Sequence, residues 1–140
     1  AIFSGTLLNT HFHFSLNFST ASSTAQAFQS LANLTTCIAS LQACAHHKDL
    51  TRGKQLHSYM LINGFLNSPL STTSLINMYS KCNRIVDALS VFNASTHDQN
   101  VFAYNAIISG FITNELPKPA FEFYCRMRCA GVVPDKFTFP

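Results

Sequence analysis

The sequence has no tryptophan, only five glycines and five prolines in 140 residues, and little charge: 11% of its residues are Asp, Glu, Lys or Arg. A soluble globular domain usually carries about 25%. This chain therefore buries much of its surface or presents apolar surface to something. It is 47% hydrophobic, enough for a sizeable core, and its length suits one domain. The charge it has is confined. All nine Lys and Arg and all six acids lie between Lys48 and Lys136, for a formal net charge of +3, and the first 47 residues hold none. That is a composition boundary. No run of 18 apolar residues is present, which argues against a transmembrane helix and a membrane partner. Cys37, Cys44, Cys82, Cys125 and Cys129 are odd in number and make no CxxC spacing. That argues against a disulfide framework or zinc ribbon and for reduced, mostly buried thiols. With no signal peptide, the N-x-S/T triplets at Asn17, Asn33 and Asn93 read as chance matches. There is no nucleophile elbow, no P-loop and no deaminase H-x-E with CxxC, so neither catalysis nor a cofactor is expected.

What is present is a pattern written more than once. Ser74–Phe92 reads SLINMYSKCNRIVDALSVF, and Ala106–Tyr124 reads AIISGFITNELPKPAFEFY. A shift of 32 places Ile76 on Ile108, Tyr79 on Phe111, Ala88 on Ala120, Val91 on Phe123 and Phe92 on Tyr124. A backward shift of 35 places the same positions on Leu41, Cys44, Gly53, Leu56 and His57, of which only His57 is out of class. Three units result: Leu34–Ser68, Pro69–Asn100 and Val101–Asp135, with a fourth beginning at Lys136. Each reads as two helices. In the second unit Leu75, Ile76 and Tyr79 share a face, Asn83 interrupts, and Ile85, Ala88, Leu89 and Phe92 resume at i, i+3, i+4 and i+7. Pro117 and Pro119 are tolerated only in the first turn of a second helix, where N–H groups lack intrahelical partners. Gly131–Pro134 then ends that helix. A helix pair of about 35 residues cannot bury its apolar face alone, but stacked neighbours bury it together. The expected fold is all-α, an α-solenoid of helix–turn–helix repeats.

The segments LQACAHHKDLTRGKQLHSYMLINGF, TSLINMYSKC with DALSVF, and VFAYNAIISGF with GVVPD resemble the plant pentatricopeptide repeat family. Their alternation resembles its PLS subclass: an L-type repeat at 34–68, an S-type at 69–100, a P-type at 101–135, and at 136–140 the start of a further one. The S-type unit departs from the family's pattern by one extra residue around Asn93–Asn100 and by Asn83 where Gly is usual. The P-type unit has Asn114–Glu115 where Gly is common. The resemblance implies single-stranded organellar RNA as partner, about one base per repeat, with other RNA-processing proteins alongside. It implies support of RNA processing, C-to-U editing first, in the mitochondrion with the plastid as alternative. It pairs Thr73 with Asn100, the family's adenine pair, and Asn105 with Asp135, its uracil pair. It places Leu70, Phe102 and Phe137 beside the bases, where aromatic flanking is worth about 1–3 kcal/mol. In the first unit the corresponding Ile38 and Ser68 give no readout, because Ile38 cannot hydrogen-bond a base. From spacing alone, a protein-interaction scaffold like tetratricopeptide repeats stays open. So does the plain reading of Thr73 and Asn105 as polar helix positions and of Phe102 as core.

Other features read blandly. Cys125 and Cys129 share a helical face with no third ligand in view, and Cys44, His46, His47 and His57 include a His pair expected in an interhelix turn with diverging side chains. No metal site is expected at either. Lys48, Arg52, Lys54, Lys81, Arg84, Arg126 and Arg128 form a solvated face, some of it available to phosphate. The start at Ala1 rather than Met and the stop after Phe137–Pro140 lead us to expect a fragment. Residues 1–33 are acid-free and rich in Ser, Thr, Ala and Phe. They read either as the remnant of a transit peptide, though without Arg, or as a disordered lead-in, with partial helix at 23–34. Limited proteolysis is expected to trim 1–33 before any cut within 34–135. Equal protection of the two regions would refute the boundary.

Overall fold

A computed structural model describes residues 34–95 and 100–139. The lead-in at 1–33 lies outside these residues, as do residues 96–99 of the segment carrying the extra residue of the second unit. All regular structure among the described residues is helical: α1 (Leu34–His47), α2 (Leu50–Ile62), a 3-10 turn (Phe65–Asn67), α3 (Pro69–Lys81), α4 (Ile85–Ala94), α5 (Val101–Thr113) and α6 (Pro117–Cys129). The fold is an all-helical array of three helix pairs packed as repeats. First helices stack on one another, α1 on α3 and α3 on α5, while each second helix packs on its own first helix. Thus α2 and α4 also touch the following first helix.

The same turn is written three times. Lys48, Asn83 and Glu115 follow the first helices with φ of 55°, 58° and 59°. In each case the next N–H reaches back five residues: Asp49 to the Cys44 carbonyl (2.9 Å), Arg84 to Tyr79 (2.8 Å) and Leu116 to Phe111 (2.9 Å). This is the Schellman closure, in which one left-handed residue lets the chain reverse and satisfies orphan carbonyls. Asn83 interrupts the helix as its tolerance of that conformation predicts. Lys48 and Glu115 adopt it against their own preference, because the adjoining helices fix where the chain must turn. The turn also corrects one expectation. His46 and His47 close the last turn of α1 rather than sit in the loop, and their rings do not diverge but meet edge-on at 4.8 Å. The helix starts follow local chemistry. Asp49, Ser68 and Asn100 each accept a hydrogen bond from a backbone N–H of the helix they precede. Pro69 and Pro117 occupy first-turn positions.

The core is asymmetric. Second helices bury a narrow stripe: Gly53, Leu56 and Met60 on α2, Ala88 and Phe92 on α4, Ala120 and Met127 on α6. By contrast α3 buries eight of its residues, because it is sandwiched between α1 and α5. The pattern Leu75–Ile76–Tyr79 captures only part of that face. Met78 and the small polar residues Ser71, Thr72, Ser74 and Ser80 are buried too. Short side chains let helix backbones approach, which an apolar count does not register. His57, out of class in the alignment, has a partner: its Nδ1 lies 2.9 Å from the Tyr79 hydroxyl. Burial pushes the Tyr79 phenol up to about 12. Phe92 meets Tyr104 and Phe123 edge-on at 5.1 and 5.5 Å, and Arg126 lies over both Phe92 and Phe123. The thiols are only partly as expected. Cys37 and Cys44 are buried, Cys82 is half-buried, and Cys125 and Cys129 are exposed on α6.

Gly53 and Gly110 set the closest approaches. A Cβ on Gly53 would run into Met78 Sδ, and one on Gly110 into Ser80 Oγ, with Ser80 Cβ at 3.1 Å and Ile85 Cδ1 at 3.3 Å. Ser80 Oγ is itself buried without a hydrogen-bond partner. Gly110→Ala is therefore expected to destabilise the chain by about 1–3 kcal/mol despite its better helix propensity. Ser80→Ala removes an unsatisfied hydroxyl and should be neutral or stabilising. Combined, the two should cost less than their sum, because both act on the same contact. Urea unfolding of the four proteins measures this, and strict additivity would show that the contact is not the source of the cost.

Candidate nucleic-acid interface

The residues singled out at the unit starts fall at two kinds of position. Leu70 and Phe102 are the second residues of α3 and α5, and Thr73 and Asn105 are the fifth. Leu70 is 54% exposed, Phe102 64% and Phe137 63%. Phe102 is thus not a core residue, despite the abundance of Phe in the chain. Three exposed apolar side chains at the N-terminal ends of consecutive units are a cost in water with no counterpart in the packing. Thr73 and Asn105 are half-buried, neither free on the surface nor lost between helices. Ile38 is buried, as an aliphatic residue at that place prefers.

The two pairs differ in state. Asn105 Nδ2 donates to Asp135 Oδ1 at 2.8 Å, across 30 residues of sequence, and so ties the start of α5 to the segment that follows α6. A carboxylate only accepts, so the amide must present its nitrogen to Asp135. Asn105 Oδ1 is left buried and without a partner. A buried acceptor without a donor costs about 1–3 kcal/mol, so this side chain gains whenever a small rotation brings a donor to that oxygen. Asn105 therefore does not offer donor and acceptor equally. One amide hydrogen is committed to Asp135, and the oxygen is sheltered. Thr73 and Asn100 are not joined. The Thr73 hydroxyl donates to the Pro69 carbonyl at 2.9 Å. Asn100 Oδ1 caps α5, accepting from the Phe102 and Ala103 N–H groups at 3.0 and 3.2 Å.

Two neighbours escaped the sequence reading. Lys136 Nζ sits 5.0 Å from the centroid of the Phe137 ring, placing a cation on an exposed aromatic face. Thr138 is 2% exposed, and its Oγ1 accepts from the Asp135 N–H at 2.9 Å. Asp135 Oδ1 in turn accepts from the Phe137 N–H at 2.9 Å and from Thr138 Oγ1 at 3.3 Å. This is a capping-box arrangement, and the spacing Asp135-x-x-Thr138 is the signal that would have found it. Of the basic residues, Arg84 is held by Asp87 at 2.7 Å and Arg126 by two rings, whereas Lys48, Arg52, Lys54, Lys81 and Arg128 are exposed. Among the described residues no three His, Cys, Asp or Glu side chains converge as a metal site, and no helix is long and apolar enough to cross a membrane.

Comparison with known sequences bears on this geometry. The PPR repeat family model matches residues 99–140, and the PPR repeat model matches residues 71–94. A pentatricopeptide repeat-containing protein of Arabidopsis thaliana is 51% identical over 109 residues, covering 77% of this chain and 16% of its own length. Another from the same plant, named as chloroplastic, is 37% identical over 109 residues, covering 76% of this chain and 15% of its own length. A third, named as mitochondrial, is 34% identical over 109 residues, covering 78% of this chain and 19% of its own length. The chain thus spans about a sixth of the length of these relatives.

The Asp135 carboxyl is held below its ordinary value of 3.8, first by the Phe137 N–H and then by the Asn105 and Thr138 side chains. Unfolded, it takes up a proton near 3.8; folded, it resists until lower pH. The stabilisation is complete above the ordinary value and is lost as pH falls through the depressed one. An NMR titration of the Asp135 side-chain carboxyl is expected to give a midpoint below 3.8, moving upward in Asn105→Ala. A wild-type midpoint at or above the ordinary value would contradict the hydrogen-bonded geometry.

Proposed function

The chain belongs to the PPR repeat family, and from that premise we propose that it binds single-stranded RNA through its repeats, within a longer organellar protein that supports RNA processing. The observation that carries this reading is the Asn105–Asp135 pair. Two polar side chains from the two ends of one unit meet at the surface, one with an unsatisfied oxygen, and Phe102 and Phe137, close to them in sequence, are exposed. Stacking on aromatic faces and hydrogen bonding at base edges are how single-stranded RNA is read. Exposed Lys48, Arg52, Lys54, Lys81 and Arg128 supply positive charge for the phosphates. The chain acts as a binding module rather than as an enzyme.

In finer detail, the units at 34–68, 69–100 and 101–135 follow the L, S and P order of the PLS subclass. The pairs Thr73/Asn100 and Asn105/Asp135 then favour adenine and uracil, read as 5′-A-U-3′ along the chain. Leu70, Phe102 and Phe137 border the two bases, with Phe102 between them. The process served is C-to-U editing. The compartment is the mitochondrion, with the plastid as alternative; relatives named for each organelle support an organellar location without choosing between them.

Gel-shift titration with polyribonucleotides at several salt concentrations tests the reading. Binding is expected to weaken as salt rises, with a log–log slope of about −0.7 per phosphate contact. Asn105→Thr is expected to move the second preference from uracil toward guanine, since Thr with Asp is the family's guanine pair, and to leave the first unchanged. No retention of any RNA at low salt would reject RNA binding and return the chain to the class of protein-interaction scaffolds. Retention without a base shift in the variant would remove Asn105 from the readout.

A further inference from the structure

We propose that Thr138 is a positioning residue for the Asn105–Asp135 pair: its buried hydroxyl locks the Asp135 carboxylate where it fixes the Asn105 amide before any ligand arrives. The existence of the lock rests on hydrogen-bond geometry alone. Its consequence for base selection rests on the RNA reading above.

The argument starts from Asp135. It follows α6, and its Oδ1 accepts three hydrogen bonds, from the Phe137 N–H, Thr138 Oγ1 and Asn105 Nδ2. The carboxylate of an exposed residue ordinarily samples several rotamers. Here the Thr138 hydroxyl accepts the Asp135 N–H while donating to Asp135 Oδ1, so backbone and carboxylate are held from one atom. Thr138 can do this because it is itself fixed, at 2% exposure, with its N–H on the Asp135 carbonyl at 3.1 Å. Hydrogen bonds to a charged acceptor are the stronger kind, and three on one oxygen leave it little freedom. The Asn105 amide inherits that order. With Nδ2 on a fixed oxygen, its carbonyl oxygen is aimed in one direction rather than flipping between two.

The preceding unit supplies the contrast. Asn100 is in the place of Asp135, three residues before Ala103, which has no hydroxyl to return a bond. Asn100 spends its oxygen on capping α5, and Thr73 bonds within its own helix. The pair without the hydroxyl is apart, and the pair with it is joined. Asp135, the last residue of its unit, thus has two partners, the start of the next segment and the fifth residue of its own unit's first helix, whereas Asn100 has only the first. The residue three positions on decides whether both are served.

The test compares wild type, Thr138→Val and Thr138→Ser in the 140-residue chain. The first readout is RNA-free: hydrogen exchange of the Asn105 side-chain amide by NMR, assigned by its absence in Asn105→Ala. Thr138→Val is expected to speed that exchange about tenfold, and Thr138→Ser to restore the wild-type rate. Backbone exchange in α5 serves as the folding control. Unchanged side-chain exchange in Thr138→Val, or equal acceleration in both variants, would overturn the proposal, the second because methyl packing would then be the cause. The second readout is discrimination among RNAs that differ at one base. Loss in Thr138→Val at the base read by Asn105, and not at the neighbouring base, supports the consequence. Discrimination retained in Thr138→Val while the amide exchanges faster would overturn the consequence. If wild type binds no RNA, the functional reading fails, and the exchange rates alone still decide whether Thr138 holds the pair.

Discussion

The close stacking of α1, α3 and α5 is the constraint on which the rest depends. α3 has neighbours on two sides, so it has to be thin where helices meet. The buried Ser71, Thr72 and Ser74 make it so, and Gly53 on α2 and Gly110 on α5 let the facing helices come close. Bulky apolar residues fill the interior: Leu56, Met78, Phe92, Tyr104 and Ile107 are all fully buried, Met78 directly against Gly53. Each such side chain removed from water contributes about 1.5–3 kcal/mol. The low charge content follows from this geometry. A helix buried on two sides has little solvent face on which to carry charge.

Stacking also sets the turns. Because each second helix must fold back onto its own first helix, the chain reverses over a single left-handed residue at Lys48, Asn83 and Glu115. The residue after it begins the capping of the second helix. Asn114 adds a link between units, donating to the Ser80 carbonyl at 3.0 Å and to Gly110 at 2.8 Å. The Ser80 carbonyl, near the end of α3, also accepts from the Asn83 N–H at 3.1 Å, so the next repeat along adds a second donor to it. Capping and stacking are therefore one structural problem in this chain, since the groups that end one helix are completed by its neighbour.

The same economy brings polar residues to the N-terminal ends of the first helices. A helix start needs a side-chain acceptor just before it and exposes its first turn. Ser68, Asn100 and Asp135 answer that need at the end of each unit. Beside each, the second position of the next segment points outward, which is why Leu70, Phe102 and Phe137 are exposed. A surface that alternates fixed polar groups with uncovered apolar ones arises from repeat geometry first. It becomes a candidate for base recognition through what occupies it.

The sequence by itself determined the class of fold, the three helix pairs and the breaks between their helices. These rest on local rules: a 3.6-residue period, proline confined to first turns, and, at Asn83 and Gly131, residues that tolerate a positive φ. Leu70, Thr73, Asn100, Phe102, Asn105, Asp135 and Phe137 were picked out by the resemblance to the pentatricopeptide repeat family, since spacing alone left them ordinary helix positions. Local rules were silent elsewhere. That Ser71 and Thr72 are buried, that His57 meets Tyr79, that His46 and His47 belong to α1, and that Cys125 and Cys129 stay exposed all depend on which helix lies alongside. So does the difference between the two polar pairs. Asn105 and Asp135 are 30 residues apart, and only the packing of α6 against α5 brings them to 2.8 Å. Composition supplies a donor and an acceptor; tertiary structure decides that they meet, and leaves Thr73 and Asn100 to separate partners.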